Sequence, residues 1–413
     1  MAKRYFATKR KQEPRLLKIT LAICAVLALA YGCTVLYGYF RGWVAPHEVE
    51  ASAVNSLDEA RALAKSGDLA GAEQLAATLA EDGGEALAPQ ALLLQAELNA
   101  AAGKEDAALA LIQQVYEQYP ASPERPAAAA RYARMLEKRG QQDKAWAIYE
   151  DLRQTAPPAL RAEALLGLAR KAESGQQTAS ARELYKTALS DAEFNSTPWT
   201  EAAEGLGRMQ VAAIFSTEPA AESKLYEVES GDSLTSIGIK LNTTLRLLTR
   251  ANGIEEGATL RLGQKLKYTP KDFRIVIERS TCRLFLLDKD GLFKLYRVGL
   301  GMPEHVTALG KYTIGNKQKD PTWFKPGAEP IPPGDPQNEL GTRWMPLVPV
   351  EEGLPTDLGI HGTIAPDTIG QYKSHGCPRM LNEEVEELYD LVVRSTPVEI
   401  VEAVGPDFMK LAL

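Results

Sequence analysis

The chain has 413 residues, of which 45% are hydrophobic and 24% charged, and its formal net charge is −7. That length suits two or more domains, and an acidic chain without a basic domain argues against nucleic acid as a partner. Two of the four cysteines, Cys24 and Cys33, lie in an apolar N-terminal segment. Of the other two, Cys282 is expected to be a buried structural thiol, and we predict no structural disulfide.

An apolar run near the N-terminus predicts a membrane anchor. Residues 19–40 carry no charge and are long enough to cross a bilayer core of about 30 Å as one helix. Seven Lys or Arg residues precede the run and only Arg41 closely follows it, so residues 1–18 are predicted to stay cytoplasmic. We therefore predict a single-pass plasma-membrane protein in which the chain after residue 40, with its C-terminal domain, lies in the periplasm or cell-wall space. A signal peptide cleaved near Ala30 and a lipoprotein site at Cys33 are the alternatives, and both still export the chain.

Residues 56–215 are rich in Ala and Leu and contain an internal repeat. Glycines recur at spacings of 36, 37 and 35 residues, and the first three are each followed five residues later by an alanine; they are Gly67, Gly103, Gly140 and Gly175. The pattern resembles the tetratricopeptide repeat and implies an all-α solenoid of paired helices. A generic array of helical hairpins is the alternative. Such solenoids usually bind a peptide or another protein. The alternative is that the repeat acts only as a spacer between the membrane and the cell wall. Residues 216–224 are predicted to form a polar linker.

Residues 225–269 carry the pattern of a small βααβ module. A strand-like alternation leads into a turn with a helix cap, two short apolar stripes follow, and residues 263–266 lead into a closing strand. The stripes are Leu234, Ile237 and Leu241, then Leu245, Leu248 and Ala251. The pattern resembles the lysin motif (LysM), which binds glycans that contain N-acetylglucosamine. The resemblance implies glycan contacts from two loops, at Gly231, Asp232, Ser233, Asn252, Gly253 and Ile254. A packing module that binds no glycan is the alternative.

Residues 271–403 are predicted to form a mainly-β domain. Short strands are expected at residues 273–278, 283–287, 292–299 and 310–314, with a hairpin turn at residues 290–291. Nine prolines fall between Pro321 and Pro355, so we expect no regular element there. That segment is predicted to be a lid over the site or a loop packed on the sheet by its aromatic residues. Asn382 is predicted to cap a helix that runs to about residue 395.

Residues 374–380, SHGCPRM, contain a candidate thiol nucleophile. A cysteine thiol has a pKa of about 8.5 and needs a nearby base to react at neutral pH. His361 lies sixteen residues before Cys377 and can face it from a neighbouring strand. Gly376 permits a sharp turn that points its own amide and that of Cys377 at a developing oxyanion. Arg379 supplies a planar charge that suits a substrate carboxylate.

Residues 358–380, LGIHGTIAPDTIGQYKSHGCPRM, resemble the signature of the L,D-transpeptidase (YkuD-type) catalytic domain. This family cross-links peptidoglycan through an acyl-cysteine enzyme. The resemblance implies Cys377 as nucleophile, His361 as general base and acid, and His375 as a residue that shapes the site.

The same resemblance implies supporting roles for the residues around these three. The Gly362 carbonyl would orient the His361 ring, and Arg379 and Ser374 would bind substrate. One position departs from the family, because Pro378 stands where a branched aliphatic residue is usual.

The function predicted from these residues is that of a membrane-anchored peptidoglycan L,D-transpeptidase. It would form an acyl-cysteine with a stem tetrapeptide and transfer it to an acceptor amine, without metal or cofactor. The alternatives are an L,D-carboxypeptidase with the same acyl-enzyme and a catalytically idle LysM scaffold that binds the wall. For the motif itself, the alternatives are a buried cysteine and a zinc site of His361, His375 and Cys377, which offers only three ligands.

Overall fold

The computed structural model describes residues 56–220, 222–324, 327, 329–405 and 408. The chain forms two compact units, one up to Met135 and one from Leu136 onward. Among the described helices, none is both long enough and apolar enough to cross a membrane. The predicted cytoplasmic segment and membrane-spanning helix, residues 1–40, lie outside the described residues and stay predictions.

Over its described residues, the first unit is built from helices. They are α1 (residues 56–66), α2 (Leu69–Asp82), α3 (Gly84–Ala101), α4 (Glu105–Gln118) and most of α5 (Arg125–Lys138). Gly67 and Gly103 form the α1–α2 and α3–α4 turns with φ of +93° and +74°, which glycine adopts without strain. Ala72 and Ala108 are fully buried, as small residues at helix crossings should be.

The second unit continues with four helices: α6 (Gln142–Thr155), α7 (Pro158–Ser174), α8 (Thr178–Asp191) and α9 (Thr197–Phe215). In the last turn, between α7 and α8, Gly175 keeps a negative φ and Gln176 takes φ +58° instead. The buried alanine of this repeat is Ala181, which follows Gln176 by five residues. The predicted tetratricopeptide-like pattern therefore fits the helical region, and Gln176, 36 residues after Gly140, takes the place of the glycine in the final turn.

The βααβ module consists of β1 (Lys224–Glu227), α10 (Leu234–Lys240), α11 (Leu245–Asn252) and β2 (Lys265–Tyr268). The two strands pair antiparallel over a core that includes Ile237, Leu248 and Leu266. One predicted core position is wrong. Leu245 is 36% exposed, and Leu247 is buried instead, against the following domain.

The C-terminal domain is built on one large sheet with the strand order β10-β9-β7-β12-β3-β4-β5. Its strands are β3 (Arg274–Glu278), β4 (Arg283–Asp288), β5 (Gly291–Arg297), β7 (Gly310–Ile314), β9 (Arg343–Pro349), β10 (Gly359–His361) and β12 (Pro397–Val401). A short strand, β8 (Gln318–Lys319), pairs with β9, while β6 (Leu300–Gly301) and β11 (Tyr372–Ser374) pair with each other in parallel. The last helix is α12 (Asn382–Leu391).

Strand β9 contradicts the expectation that the proline-rich segment has no regular element. It pairs with both β7 and β10 although it contains Pro346 and Pro349. A proline has no backbone N–H to donate, but its backbone carbonyl can still accept a hydrogen bond. The Pro346 carbonyl accepts from Gly315 N at 2.8 Å, and the donor on the strand comes from the next residue, since Leu347 N bonds to Leu358 O at 2.8 Å.

Both faces of the sheet are covered. On one face, α12 contributes Val385, Leu388 and Leu391 to the main core. On the other face, α9 packs over β5, and buried residues of α7 to α9 form one core with residues of β3, β4 and β5. Helix α9 approaches β5 closely at Gly207, where an added Cβ would lie 2.8 Å from Lys294 Cγ. The sheet domain and the end of the helical repeat therefore share one hydrophobic core.

Helix α12 differs from its prediction at both ends. Leu381, not Asn382, occupies the N-cap position, because the Asn382 side chain bonds to residues outside the helix. The helix ends at Leu391, four residues before the predicted end. There Lys317 Nζ binds the carbonyls of Tyr389 and Val392 at 2.5 and 2.6 Å and so satisfies acceptors that the helix leaves open.

Candidate active site

The segment with the candidate nucleophile is held by backbone hydrogen bonds on both sides. On one side Gly299 and Arg379 exchange two bonds of 2.8 Å. On the other side His361 N donates to Pro378 O at 3.2 Å, and Met380 N donates to His361 O at 2.9 Å. This pairing places β10 next to the segment and so brings His361 beside the residues that follow Cys377.

The buried Thr307 side chain stabilises the turn before Cys377 through hydrogen bonds. It is fully buried, its hydroxyl donates to Gly376 O at 2.7 Å, and it accepts from Gly301 N at 2.9 Å. Gly376 has φ +119°, so the turn needs a glycine at this position. Sequence reasoning missed Thr307, since nothing local links it to a carbonyl 69 residues further along the chain.

The Cys377 side chain is partly exposed, and its thiol donates to Asp357 O at 3.8 Å. Burial raises the pKa of the thiol to about 11, and Asp357 adds to this, while the Gly359 amide and Arg379 oppose it. The Gly376 amide already donates to Ser374 Oγ at 3.2 Å. The Gly376 amide is thus engaged within the turn, and the predicted binding of an oxyanion by the amides of Gly376 and Cys377 stays a prediction.

His361 is 5% exposed, and the Trp344 ring lies 5.7 Å from its own. Burial lowers the pKa of His361 to about 4, against the opposite influence of nearby carbonyls such as that of Gly362. Among the described residues, none accepts a hydrogen bond of standard geometry from its Nδ1. At neutral pH the imidazole is thus uncharged, the form in which a general base accepts a proton.

Asn382 locks the chain behind His361. Its Oδ1 accepts from Thr342 N and Thr363 N at 3.3 and 3.2 Å, and its Nδ2 donates to Thr363 O at 2.9 Å. An added Cβ on Gly362 would lie 2.2 Å from Asn382 Oδ1, so only glycine fits there. Gly362 therefore leaves room for this asparagine, while the predicted orientation of the His361 ring by the Gly362 carbonyl stays a prediction.

Arg379 is 8% exposed, and its Nε and Nη2 are buried without a hydrogen-bond partner among the described residues. Burial lowers the pKa of this guanidinium, while Glu339 and Cys377 act in the opposite direction. Leaving buried charged donors unpaired is costly, and the binding of a substrate carboxylate by Arg379 stays a prediction.

The other two predicted residues of the motif differ in exposure. Ser374 is buried, and its hydroxyl is used inside the turn by Gly376, so its contact with substrate stays a prediction. His375 is exposed, and its ring lies 5.5 Å from that of His305, which the sequence analysis did not assign. Within the described residues, no three His, Cys, Asp or Glu side chains could jointly hold a metal ion.

The proline-rich loop before β9 reaches the site. The carbonyls of Glu339 and Leu340 lie near the His361 ring and raise its pKa. The loop is ordered by Asn338, whose Nδ2 donates to Pro321 O at 2.9 Å and to Pro332 O at 3.1 Å. Glu339 and Leu340 of this loop therefore border the site.

The six predicted glycan-binding residues lie at two loops of the βααβ module. The Asp232 carboxylate accepts from Tyr226 OH at 2.7 Å, Ser233 caps α10, and Asn252 bonds to both the amide and the carbonyl of Lys267. Gly231 and Gly253 have positive φ, and Ile254 packs on the core of the module. The polar side chains thus shape the loops, and their contact with glycan stays a prediction.

Comparisons with known proteins agree with both modules. A family model described as the L,D-transpeptidase catalytic domain matches residues 272–400, and a LysM domain model matches residues 226–269. The putative L,D-transpeptidase YkuD of Bacillus licheniformis is 30% identical over 182 residues, which are 43% of this chain and 98% of that protein. The probable L,D-transpeptidase YbiS of Escherichia coli is 28% identical over 142 residues, 31% of this chain and 44% of the relative.

Solved structures are matched over a similar part of the chain. An L,D-transpeptidase from Mycobacterium tuberculosis gives a TM-score of 0.27 at 17% identity, over 34% of this chain and 63% of that one. The catalytic domain of the L,D-transpeptidase from Enterococcus faecium gives 0.26 at 22% identity, over 32% of this chain and 97% of that one.

Fold, site and family matches together define a cell-wall protein that joins a mainly-β catalytic domain to a peptidoglycan-binding LysM module. The chain belongs to the L,D-transpeptidase family with a YkuD-type catalytic domain.

Proposed function

We propose that this protein is a peptidoglycan L,D-transpeptidase that works through an acyl-cysteine at Cys377. The observation that carries the proposal is Arg379, whose buried and unpaired nitrogens lie beside the candidate nucleophile. A stem tetrapeptide supplies the missing partner, because it carries carboxylates close to the bond that must be cleaved.

The first half of the reaction acylates the enzyme. The Cys377 sulfur attacks the carbonyl carbon of the third stem residue, taken as diaminopimelate, while the thiol proton moves to His361. The tetrahedral oxyanion is bound by the Cys377 amide. The bond to the terminal D-alanine then breaks, and its amine leaves with the proton from His361. Both groups start uncharged, since burial holds the pKa of the thiol near 11 and that of the imidazole near 4.

The second half transfers the acyl group. An acceptor amine attacks the thioester and gives a proton to His361, which returns it to the departing Cys377 sulfur. Water in place of the amine gives the carboxypeptidase reaction.

The experiment uses the full chain, disaccharide-tetrapeptides and mass spectrometry of the products. A cross-linked dimer with release of D-alanine supports the proposal, and a disaccharide-tripeptide as sole product would replace it with the carboxypeptidase. Cys377→Ala should abolish both products and the covalent carbapenem adduct, whereas Cys282→Ala, at the other described cysteine, should keep them. Activity in Cys377→Ala would refute the acyl-cysteine.

The proposal extends to location and partners. We place residues 1–18 in the cytoplasm and residues 19–40 in the plasma membrane, on the charge asymmetry of the sequence. The helical repeat is then available to a protein partner outside the membrane. A reporter fused after Leu413 should be active only if it works in an exported compartment, and a cytoplasmic signal would defeat this topology.

A further inference from the structure

A groove with a volume of about 1330 Å³ runs between the LysM module and the catalytic domain. One wall comes from α10, α11 and the residues after them, including Ile239, Leu245 and Glu256. The other wall comes from α12, β8 and the segment between β7 and β8, including Lys317 and Tyr389. We call it the intermodule groove. The turn at residues 231–233 does not line it.

The two walls are fixed to each other. The Thr244 hydroxyl donates to Asp390 O, and the Asp390 carboxylate pairs with Arg246 and Arg250 at 3.8 and 3.9 Å. Leu247 is buried in the core of the catalytic domain. Lys267 Nζ binds the Ser216 carbonyl at the end of α9 at 2.5 Å. The groove is therefore preformed, so a ligand does not have to order two mobile modules.

The lining has balanced charge. Six Lys or Arg and six Asp or Glu residues line the groove, and several pair with each other, such as Arg246 with Glu256 at 3.5 Å and Arg343 with Glu386 at 3.8 Å. A site for a polyanion would carry an excess of positive charge. This lining instead offers paired donors and acceptors, which suit a polymer with many hydroxyl and amide groups and no net charge.

Apolar side chains stand exposed within the same groove. Ile239 is 79% exposed and Leu245 is 36% exposed. On the opposite wall Tyr389 is half-buried, and Lys317 Nζ lies 4.1 Å from its ring centroid. Exposed apolar residues set among polar groups are typical of a binding surface. The carbon faces and acetyl methyl groups of amino sugars match such residues, while their hydroxyl groups match the charged ones.

The groove leads to the catalytic segment along α12. Glu383, in the first turn of α12, lines the groove and also a second depression that contains Thr363 and Asn382. Thr363 follows His361 by two residues, and Asn382 binds its backbone.

We infer that the intermodule groove is a second glycan-binding site, which holds an uncharged amino-sugar strand whose peptide branch enters the active site. This inference rests on the proposed function for the identity of the branch. It assigns the LysM module a direct part in presenting substrate, in addition to holding the protein on the wall.

The test measures binding of soluble N-acetylglucosamine tetramer to the full chain carrying Cys377→Ala, by calorimetry. Ile239→Glu should weaken the binding event at the groove at least tenfold, because it places a charge on the apolar contact, and should leave binding at residues 231–233 and 252–254 unchanged. The high exposure of Ile239 makes unfolding of the variant unexpected. Leu225→Glu is the matched control, since Leu225 is a LysM residue that is 63% exposed and does not line the groove. It should bind like the parent.

A second measurement locates the sugar. Contacts by NMR between the acetyl methyl groups and Ile239 are expected. Parental affinity in Ile239→Glu, no binding by the parent protein, or contacts confined to residues 231–233 would each overturn the inference. Failure of the transpeptidase reaction with tetramer binding at Ile239 intact would instead remove the proposed reaction and leave the groove as a glycan site.

Discussion

Replacement of Thr307 by valine tests how the fold aims the nucleophile. Valine keeps the shape and removes the hydroxyl, so the buried Gly376 carbonyl and Gly301 amide lose their partner. Each unpaired buried group costs about 1–3 kcal/mol, so we expect a loss of about 2–4 kcal/mol in the free energy of unfolding. For a unit of this size the melting temperature should fall by roughly 5–10 °C.

The same change should slow the chemistry. The Gly376 carbonyl and the Cys377 amide belong to one planar peptide group, so the bond from Thr307 also sets the direction of the amide that faces the oxyanion. With that bond lost, we expect carbapenem acylation to slow by roughly 10- to 100-fold at saturating drug. Mass spectrometry over time measures the rate of adduct formation, and differential scanning calorimetry measures the melting temperature.

Two further variants make the result decisive. Thr307→Ser restores the hydroxyl and should recover most of the acylation rate. Thr313→Val, on half-buried strand β7, makes the same chemical change away from the turn and should shift the free energy of unfolding by less than about 0.5 kcal/mol. If Thr307→Val acylated at the parental rate, Thr307 would have no part in aiming the amide.

Three other outcomes are expected. His361 is buried uncharged, and its pKa is lowered to about 4 from an ordinary value of 6.5. It therefore contributes about 3 kcal/mol of stability above pH 6.5, which is lost as the pH falls towards 4. Urea unfolding at pH 7 and pH 4.5 should show this loss in the parent protein and not in His361→Gln. Burial raises the pKa of Glu384 to about 7, so the charged form of this side chain destabilises the fold. Glu384→Gln should therefore raise the melting temperature at pH 8 and not at pH 4.5. Glu383→Gln, at an exposed residue, should change the melting temperature at neither pH. Leu247→Ala should cost about 2–4 kcal/mol in the unfolding of the catalytic domain, and Leu262→Ala, at a residue that is 76% exposed, should cost little.

The sequence predicted those features whose signals are local. Strand β7 was predicted at residues 310–314 and is found there, since its alternating pattern lies within five residues. Strand β9 was missed because the density of prolines outweighed its pattern, while its bonds come from residues far along the chain. In the site, the motif around Cys377 was visible as a short segment. Thr307 and the true role of Asn382 were not, because each acts through backbone groups of remote segments.

The packing of helices α7 to α9 on the sheet was also beyond sequence reasoning. A helical repeat and a catalytic domain each have their own pattern, and neither pattern shows that Phe285 and Leu292 complete the core beneath α9. Contacts of this kind depend on shape, which local periodicity does not encode.

The close approach of α9 to β5 limits how this protein can be recombined. A catalytic domain cut out at its family boundaries would carry an uncovered apolar face, with Val276, Phe285 and Leu295 open to water. Such a fragment should self-associate when transplanted to another protein. A functional chimera would need a helix with a small residue at the position of Gly207, where α9 approaches Lys294. The last helical repeat and the catalytic domain would therefore have to be transferred together.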